Sequence, residues 1–244
     1  MPTQPTLAQV DAFWAGRLGC AHADLHRPGI TLLVNAGDFT TYRGAFLLRW
    51  GDACVFTVPA ALRQSLQGTI GDRTLDDVFD DGFLARAFGA HCERIIGPAF
   101  QGCADASDFR PVAGRGTRLL TSEDDEALAA LELACDPEEW EHAAIADGRS
   151  PLFGCFAGDE LVAAGTLIAW GEHLRNLGIV THPAYRGRGY GRAVVSALTA
   201  HALAQGHVAQ YQTLLSNAGS LAIARALGFH QYATTLAVRL RAIA

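Results

Sequence analysis

The sequence predicts a two-part α/β protein, and three observations carry that expectation. From about residue 116 onward, strand-like and helix-like patterns alternate in short runs. A connector rich in proline, glycine and arginine, Asp108-Phe-Arg-Pro-Val-Ala-Gly-Arg-Gly116, sets this region apart from a smaller α/β stretch before it, giving modules at 1–112 and 113–244. Between a strand and a helix of the second module lies Arg186-Gly-Arg-Gly-Tyr-Gly191. Glycines so dense serve a backbone that turns tightly or approaches another group closely.

In the first module, Leu7–Leu18 has a helical pattern, Ile30–Val34 that of a strand, and Ala45–Pro59 that of a hairpin turning at Gly51-Asp52. Helices are expected near 60–68 and 74–88, then a strand at Arg94–Ile96. The second module starts with a short strand, Arg118–Leu120, and Ser122 as N-cap of a helix whose first turn is acidic and which runs to about Ala134. A second helix is expected from Asp136 to Ala146, with Pro137 in its first turn. Leu152–Phe156 and Leu161–Trp170 form a hairpin through Ala157-Gly-Asp-Glu160. The Gly-Asp turn occurs in both modules, a weak hint of duplication. Leu174–Val180 is a strand that enters the glycine loop, and Gly191–Gln205 is a helix with Val195, Leu198 and Ala202 on one face. A strand at 208–215, a helix at 220–227 and a strand from Tyr232 to Leu240 follow. In the last, Leu236, Val238 and Leu240 alternate with Thr235, Ala237 and Arg239.

Composition excludes several functions. Net charge is −6, which gives no basic face for nucleic acid. All 19 basic residues are arginine, so neither a Walker A lysine nor a Schiff base on a protein lysine is available. No apolar run reaches membrane-spanning length, the first residues lack the layout of a secretion signal, and a cytoplasmic location is expected. Cysteines stand at 20, 54, 92, 103, 135 and 155 with no C-x-x-C pair, in keeping with buried small hydrophobes. Cys20, His22 and His26 form C-x-H-x3-H, but no second cysteine pair completes a shell, and no metal is expected.

A strand, a glycine loop and a helix N-terminus together make an anion site, because backbone N–H groups converge there and the helix dipole favours negative charge. The plain alternative is a tight connector with solvated arginines. The spacing is not that of a dinucleotide fingerprint. Val180-x-x-Pro183-x-x-Arg186-Gly-x-Gly189-x-Gly191 closely resembles the acyl-CoA-binding motif of the GNAT N-acetyltransferase superfamily. Its core, (Q/R)-x-x-G-x-(G/A), is met by Arg186, Gly189 and Gly191. Asn217, Ser220 and Leu227-Gly-Phe229 resemble the second motif of that family at the family's spacing.

The resemblance covers the C-terminal half and implies a GNAT-type mixed sheet flanked by helices. It implies that Ile179, Val180 and Thr181 present backbone to a pantetheine arm in a V-shaped cleft, and that an N–H near Val180 polarises a thioester carbonyl. It further implies that the amides of Arg186, Gly187, Arg188, Gly189, Tyr190, Gly191 and Arg192 cradle a pyrophosphate and that Asn217 bonds the pantetheine. Asn217 and Ser220 serve equally well as helix caps, and Arg188 and Tyr190 either touch the cofactor or face water. His182 is taken as a loop residue.

The resemblance implies acetyl transfer from acetyl-CoA, as co-substrate, to a primary amine on a small molecule or peptide, by direct attack. A rival reading is a catalytically inactive acyl-CoA-binding regulatory module. The family often places a glutamate base in the strand before the loop. Here Glu172 and His173, at the start of that strand, are the nearest candidates for this role or are turn residues. The family's tyrosine seven residues after the motif asparagine is replaced by Ala224. A thiolate that leaves unaided, or a hydroxyl such as Ser216, Ser220 or Tyr232, then takes its place. The acidic helix start at Asp136 with Trp140 suits a cationic amine, and suits a solvated helix start as well. The last strand needs cover along its edge, from residues 1–110 or from a second copy of the chain in a homodimer.

Overall fold

The computed structural model describes residues 2–112, 114, 116–145 and 151–241. In chain order its first elements are α1 (Gln4–Leu18), α2 (His22–Leu25), β1 (Gly29–Val34), β2 (Gly44–Trp50), β3 (Ala53–Val58), α3 (Ala60–Ile70), α4 (Leu75–Val78), α5 (Asp81–Phe88) and β4 (Cys92–Ala104). There follow β5 (Thr117–Leu119), α6 (Asp125–Ala134), α7 (Pro137–Ala143), β6 (Leu152–Ala157), β7 (Glu160–Trp170) and β8 (Leu174–Thr181). The chain ends with α8 (Tyr190–Ala204), β9 (Val208–Leu214), α9 (Ala218–Leu227) and β10 (His230–Leu240). The second acidic helix ends at Ala143, where Ala144 turns to φ +51°, short of the expected Ala146; Ala146, and Ala113 and Arg115 of the connector, lie outside the described residues.

Contacts divide the chain into two compact units that interleave along the sequence. One comprises Leu7–Gln101, Thr213–Ser216 and the chain from Gln231 onward. Its strands lie in the order β1-β3-β2-β10-β4. β3 is buried at every position, as its unbroken apolar run requires of a central strand. The core sets Leu66, Ile70, Val78, Phe83, Leu84 and Phe88 against Leu47, Phe56, Leu236 and Val238. β10 pairs antiparallel with β2, Thr234 opposite Arg49 through Arg239 opposite Gly44. Residues 44–49 therefore lie along an edge of the last strand, the first of the two covers that the sequence leaves open. Thr235 departs from the alternation: it is buried and its hydroxyl accepts a 2.8 Å hydrogen bond from Gln101 Nε2.

The other unit gathers the residues up to Thr6 with Gly102–Gln212 and Asn217–His230. Its strands run β9-β8-β7-β6-β5, antiparallel except for the parallel pair β8–β9. Leu131, Trp140 and Ala143 of α6 and α7 pack on Ala164 and Val180. The opposite face receives α8, for a Cβ at Gly165 would touch Val194 and Leu198.

Three expected elements differ in detail. The expected helix at 74–88 is two helices, because Thr74 caps α4 and Asp80 accepts from Phe83 N–H at 2.7 Å to start α5. Ser122 is not the cap of the first acidic helix. Thr121 caps a 3-10 turn over Ser122–Asp124 that precedes α6, accepting from Glu123 N–H while Asp124 accepts from Thr121 N–H at 2.9 Å, and Asp124 stands at the N-cap position of α6 itself. β4 runs from Cys92 to Ala104, far longer than the expected Arg94–Ile96, and continues through Gly97-Pro98, a dipeptide that usually marks a turn or loop.

Candidate functional site

β8 and β9 pair from Leu174 opposite Val208 to Leu177 opposite Tyr211. Beyond that register both strands continue with no pairing to each other among the described residues. The ladder between these parallel strands thus has a gap after Leu177 and Tyr211. On the far side of β8, His182 N–H donates to Val162 at 2.9 Å, while Val180 and Gly178 fall opposite Ala164 and Thr166. Every second residue of an antiparallel strand exchanges hydrogen bonds with its partner. By that alternation Val180 turns its backbone to β7, whereas Ile179 and Thr181 turn theirs toward the gap. The 3.1 Å bond from Arg186 Nε to the Thr181 carbonyl agrees with this.

From Thr181 the chain makes a 3-10 turn, Pro183–Tyr185, and enters the glycine loop. Gly187 and Gly189 have φ of +74° and +89°, angles that carry a steric penalty for any residue with a Cβ. A Cβ at Gly187 would meet nothing within 4 Å, so the space in front of the loop is open. Gly191 serves packing instead: a Cβ there would lie 2.7 Å from Thr181 Oγ1, and its absence lets α8 seat against the end of β8. The first bond closing on α8 runs from Ala193 N–H to the Gly189 carbonyl, 3.1 Å. Amides ahead of it lack intrahelical partners and carry the positive end of the helix dipole.

The arginines divide the work. Arg186 is engaged within the protein, its Nη2 lying 2.5 Å from Glu139 Oε2, so its side chain fastens the loop to α7 and β8. Arg188 lies over the Tyr185 ring at 5.3 Å, and Tyr185 O–H donates to Glu160 Oε2 at 2.6 Å, the main cause of its raised pKa. Arg188 and Arg192 are exposed beside the loop. Open space, positive-φ glycines, outward amides and two cations fit a diphosphate group such as that of coenzyme A.

Other candidates from the sequence fall in different places. Asn217 Oδ1 accepts from Ser220 N–H at 3.0 Å and caps α9, which is the capping alternative. Glu172 and His173 occupy the β7–β8 turn, with side chains 86% and 48% exposed. That is the paired end of β8, and at ~3.3 Å per residue it lies roughly 20 Å from Ile179; neither can act as a base at the gap. Asp136 caps α7 through the amides of Glu138 and Glu139. Trp140 is buried among Leu131, Ala143 and Val180, so it is core and no open wall of a substrate site. His182 is a loop residue, its Nδ1 accepting from Ala184 N–H at 3.1 Å. Tyr232 belongs to the other unit, donating to Asp11 Oδ1 at 2.5 Å.

One residue missed from the sequence stands at the fork of the gap. Tyr211 is the last paired residue of β9, 1% exposed, and packs on Phe229 at 5.5 Å between ring centroids. Its hydroxyl is buried near the Ser220 side chain without hydrogen-bond geometry to any described residue. Burial pushes its pKa up, the Ser220 hydroxyl opposing only in part, so the phenol keeps its proton. Strand alternation in 208–214 marks Tyr211 as inward-facing, but no motif flags it.

The fold is a mixed α/β one in which the pairing of two parallel strands ends ahead of a glycine loop and a helix N-terminus. Residues 117–229 match the model of the acetyltransferase (GNAT) family. The C-terminal half of the chain is thus a domain of the GNAT family, an acyltransferase family, as its motifs imply.

Among solved structures, a GNAT-family acetyltransferase from Colwellia psychrerythraea aligns over 99% of this chain and 98% of its own at 13% identity, with a TM-score of 0.54. A GNAT-family acetyltransferase from Novosphingobium aromaticivorans aligns over 62% of this chain and 67% of its own at 24% identity and a TM-score of 0.49. A Bacillus subtilis acetyltransferase in complex with CoA aligns over 51% and 98% at 19% identity and a TM-score of 0.40. The first of these shows the fold along the whole chain. No curated protein matches the sequence. No helix among the described residues is long and apolar enough to cross a membrane.

Proposed function

We propose that the protein is an N-acetyltransferase that moves an acetyl group from acetyl-CoA to a primary amine by direct attack. The observation that carries this reading is the opening of β8 from β9 immediately before the glycine loop, within the segment that matches the family. Acetyl-CoA supplies an acetyl group already activated as a thioester. The outward amides from Gly187 to Arg192 hold its diphosphate, with Arg188 and Arg192 adding charge. Ile179 and Thr181 offer backbone groups along the gap, and one of their N–H groups is placed to stabilise charge on a carbonyl oxygen. Tyr211 is the protein's own candidate for donating a proton to the departing sulfur. The amine proton passes to solvent.

A second reading, an acyl-CoA-binding module without catalysis, draws support from the carboxylates. Glu139 and Glu160, near the loop, are engaged by Arg186 and Tyr185, and Glu172 lies at the wrong end of β8. Thiol release from acetyl-CoA, measured against a panel of small amines and peptides, separates the two. Amine-dependent release supports the enzyme. CoA binding with no release for any amine supports the module.

A further inference from the structure

The unit that contains Leu7–Gln101 holds a cluster with no part in acyl transfer. Asp11 on α1 and His22 and His26 around α2 turn their polar atoms to one point: His22 Nε2 lies 3.0 Å, and His26 Nε2 2.9 Å, from the same Asp11 oxygen, Oδ2. The three ligand atoms lie within 4.8 Å of one another. From these residues we infer a binding site for a divalent transition-metal ion of the zinc class.

Local sequence builds the site. His22 and His26 are four residues apart, one helical turn, which places two imidazoles on the same side. That turn is fixed at its start, since Asp24 Oδ2 accepts from Ala21 N–H at 3.0 Å. It is also tied beyond its end by Asp24 Oδ1 and Arg27 at 2.7 Å. The edge contact of the His26 ring with Trp50, 4.3 Å between centroids, holds its orientation. Asp11 is nearly buried, and Tyr232 O–H donates to its other oxygen, Oδ1, at 2.5 Å. A hydrogen bond that orients a ligating carboxylate from behind is the usual outer support of a metal ligand.

Two imidazoles and one carboxylate are borderline nitrogen and oxygen donors, the set that takes Zn²⁺, Co²⁺ or Ni²⁺ in preference to Ca²⁺ or Mg²⁺. Around zinc, with bonds of ~2.0–2.1 Å, tetrahedral ligand atoms lie roughly 3.4 Å apart. The observed separations need only a small adjustment to admit the ion. His22, with its side chain 58% exposed, leaves the outer side open to water as a fourth ligand. Cys20, the thiol that begins C-x-H-x3-H, is not part of the cluster. Asp11, well before that motif, takes its place, and for this reason the sequence pattern alone looked incomplete. A bound ion would cross-link α1 to the α2 turn and, through Tyr232, to β10.

The test uses the full chain, stripped with a chelator and kept reduced, titrated with Zn²⁺ by calorimetry and with Co²⁺ by visible absorption. The expected result is one saturable Zn²⁺ per chain, with ligand-field bands from Co²⁺ that Zn²⁺ displaces. His22→Ala and His26→Ala should each weaken Zn²⁺ binding at least tenfold, and Tyr232→Phe by about tenfold. Zn²⁺ should raise the melting temperature of the wild type and not that of His22→Ala, an exposed change the fold tolerates. No binding to the wild type overturns the inference. So does binding that His22→Ala leaves unchanged, which assigns the ion to the cysteines.

Discussion

Tyr211 shows what one residue can hide. Its buried hydroxyl lies near Ser220 without good hydrogen-bond geometry to any described residue; such a group carries a desolvation cost of ~1–3 kcal/mol, and native proteins rarely keep one without a use. If it protonates the departing thiolate, Tyr211→Phe should lower turnover by at least tenfold, within the ~10²–10⁴-fold range of general acid catalysis, with CoA affinity unchanged. Ser220→Ala and Tyr232→Phe should each cost less than about tenfold. Steady-state thiol release checks all three, and full activity in Tyr211→Phe would mean that the sulfur leaves unaided. Asp105 is a residue of stability instead. Burial raises its pKa, but bonds from the Ser107 hydroxyl, the Thr3 amide, the Thr6 hydroxyl and the Ser107 amide outweigh that and hold it well below the usual carboxylate range. The folded value is thus lower than the unfolded ~3.9, so the stabilisation is complete above that pH and fades as pH falls below it. Asp105→Asn should cost ~1–3 kcal/mol near neutrality. The gap in melting temperature from the wild type should begin to narrow as pH falls below about 4, the unfolded-state value, and go on narrowing toward the lower folded-state value; a gap that stays constant down to about pH 2 would contradict this origin.

Elements were legible where a single local rule decides them. The hairpins at Gly51-Asp52 and Gly158-Asp159 and the helix after the glycine loop fall where turn residues and periodicity place them. β4 was not legible, because Gly97-Pro98 reads as a break while the strand is held by its neighbours. Nor was the partner of β10: alternation shows which residues of a strand point inward, but not which strand lies beside it. That partner is β2, and Leu236, Val238 and Leu240 complete a core built mostly from residues 45–88. A fragment beginning at Gly114 therefore keeps β10 but loses β2 and α3–α5, exposing an apolar strand edge. It should be insoluble or aggregated by size-exclusion chromatography; a soluble, monomeric and active fragment would contradict this account of β10.

For the molecule as a whole, the glycine loop was visible in sequence because Gly187 and Gly189 take positive φ angles that only glycine satisfies cheaply. The chemistry was less visible. Glu172 and His173 were close to the loop strand in sequence but sit at its opposite end, and Tyr211 came from a strand with no motif. The proposed metal ligands, Asp11 on α1 and His22 and His26 around α2, share one point only after folding. The measurement that bears most directly on the central claim is calorimetric titration of CoA into the wild type, Gly189→Val and Arg192→Ala, with a thermal melt of each. Val at φ +89° distorts the loop itself, and Arg192→Ala removes one exposed charge without touching the backbone. The expected result is one CoA per chain, weakened at least tenfold by Gly189→Val and several-fold by Arg192→Ala, with all three proteins folded. Equal affinity in the three folded proteins would contradict the claim that this loop holds the cofactor.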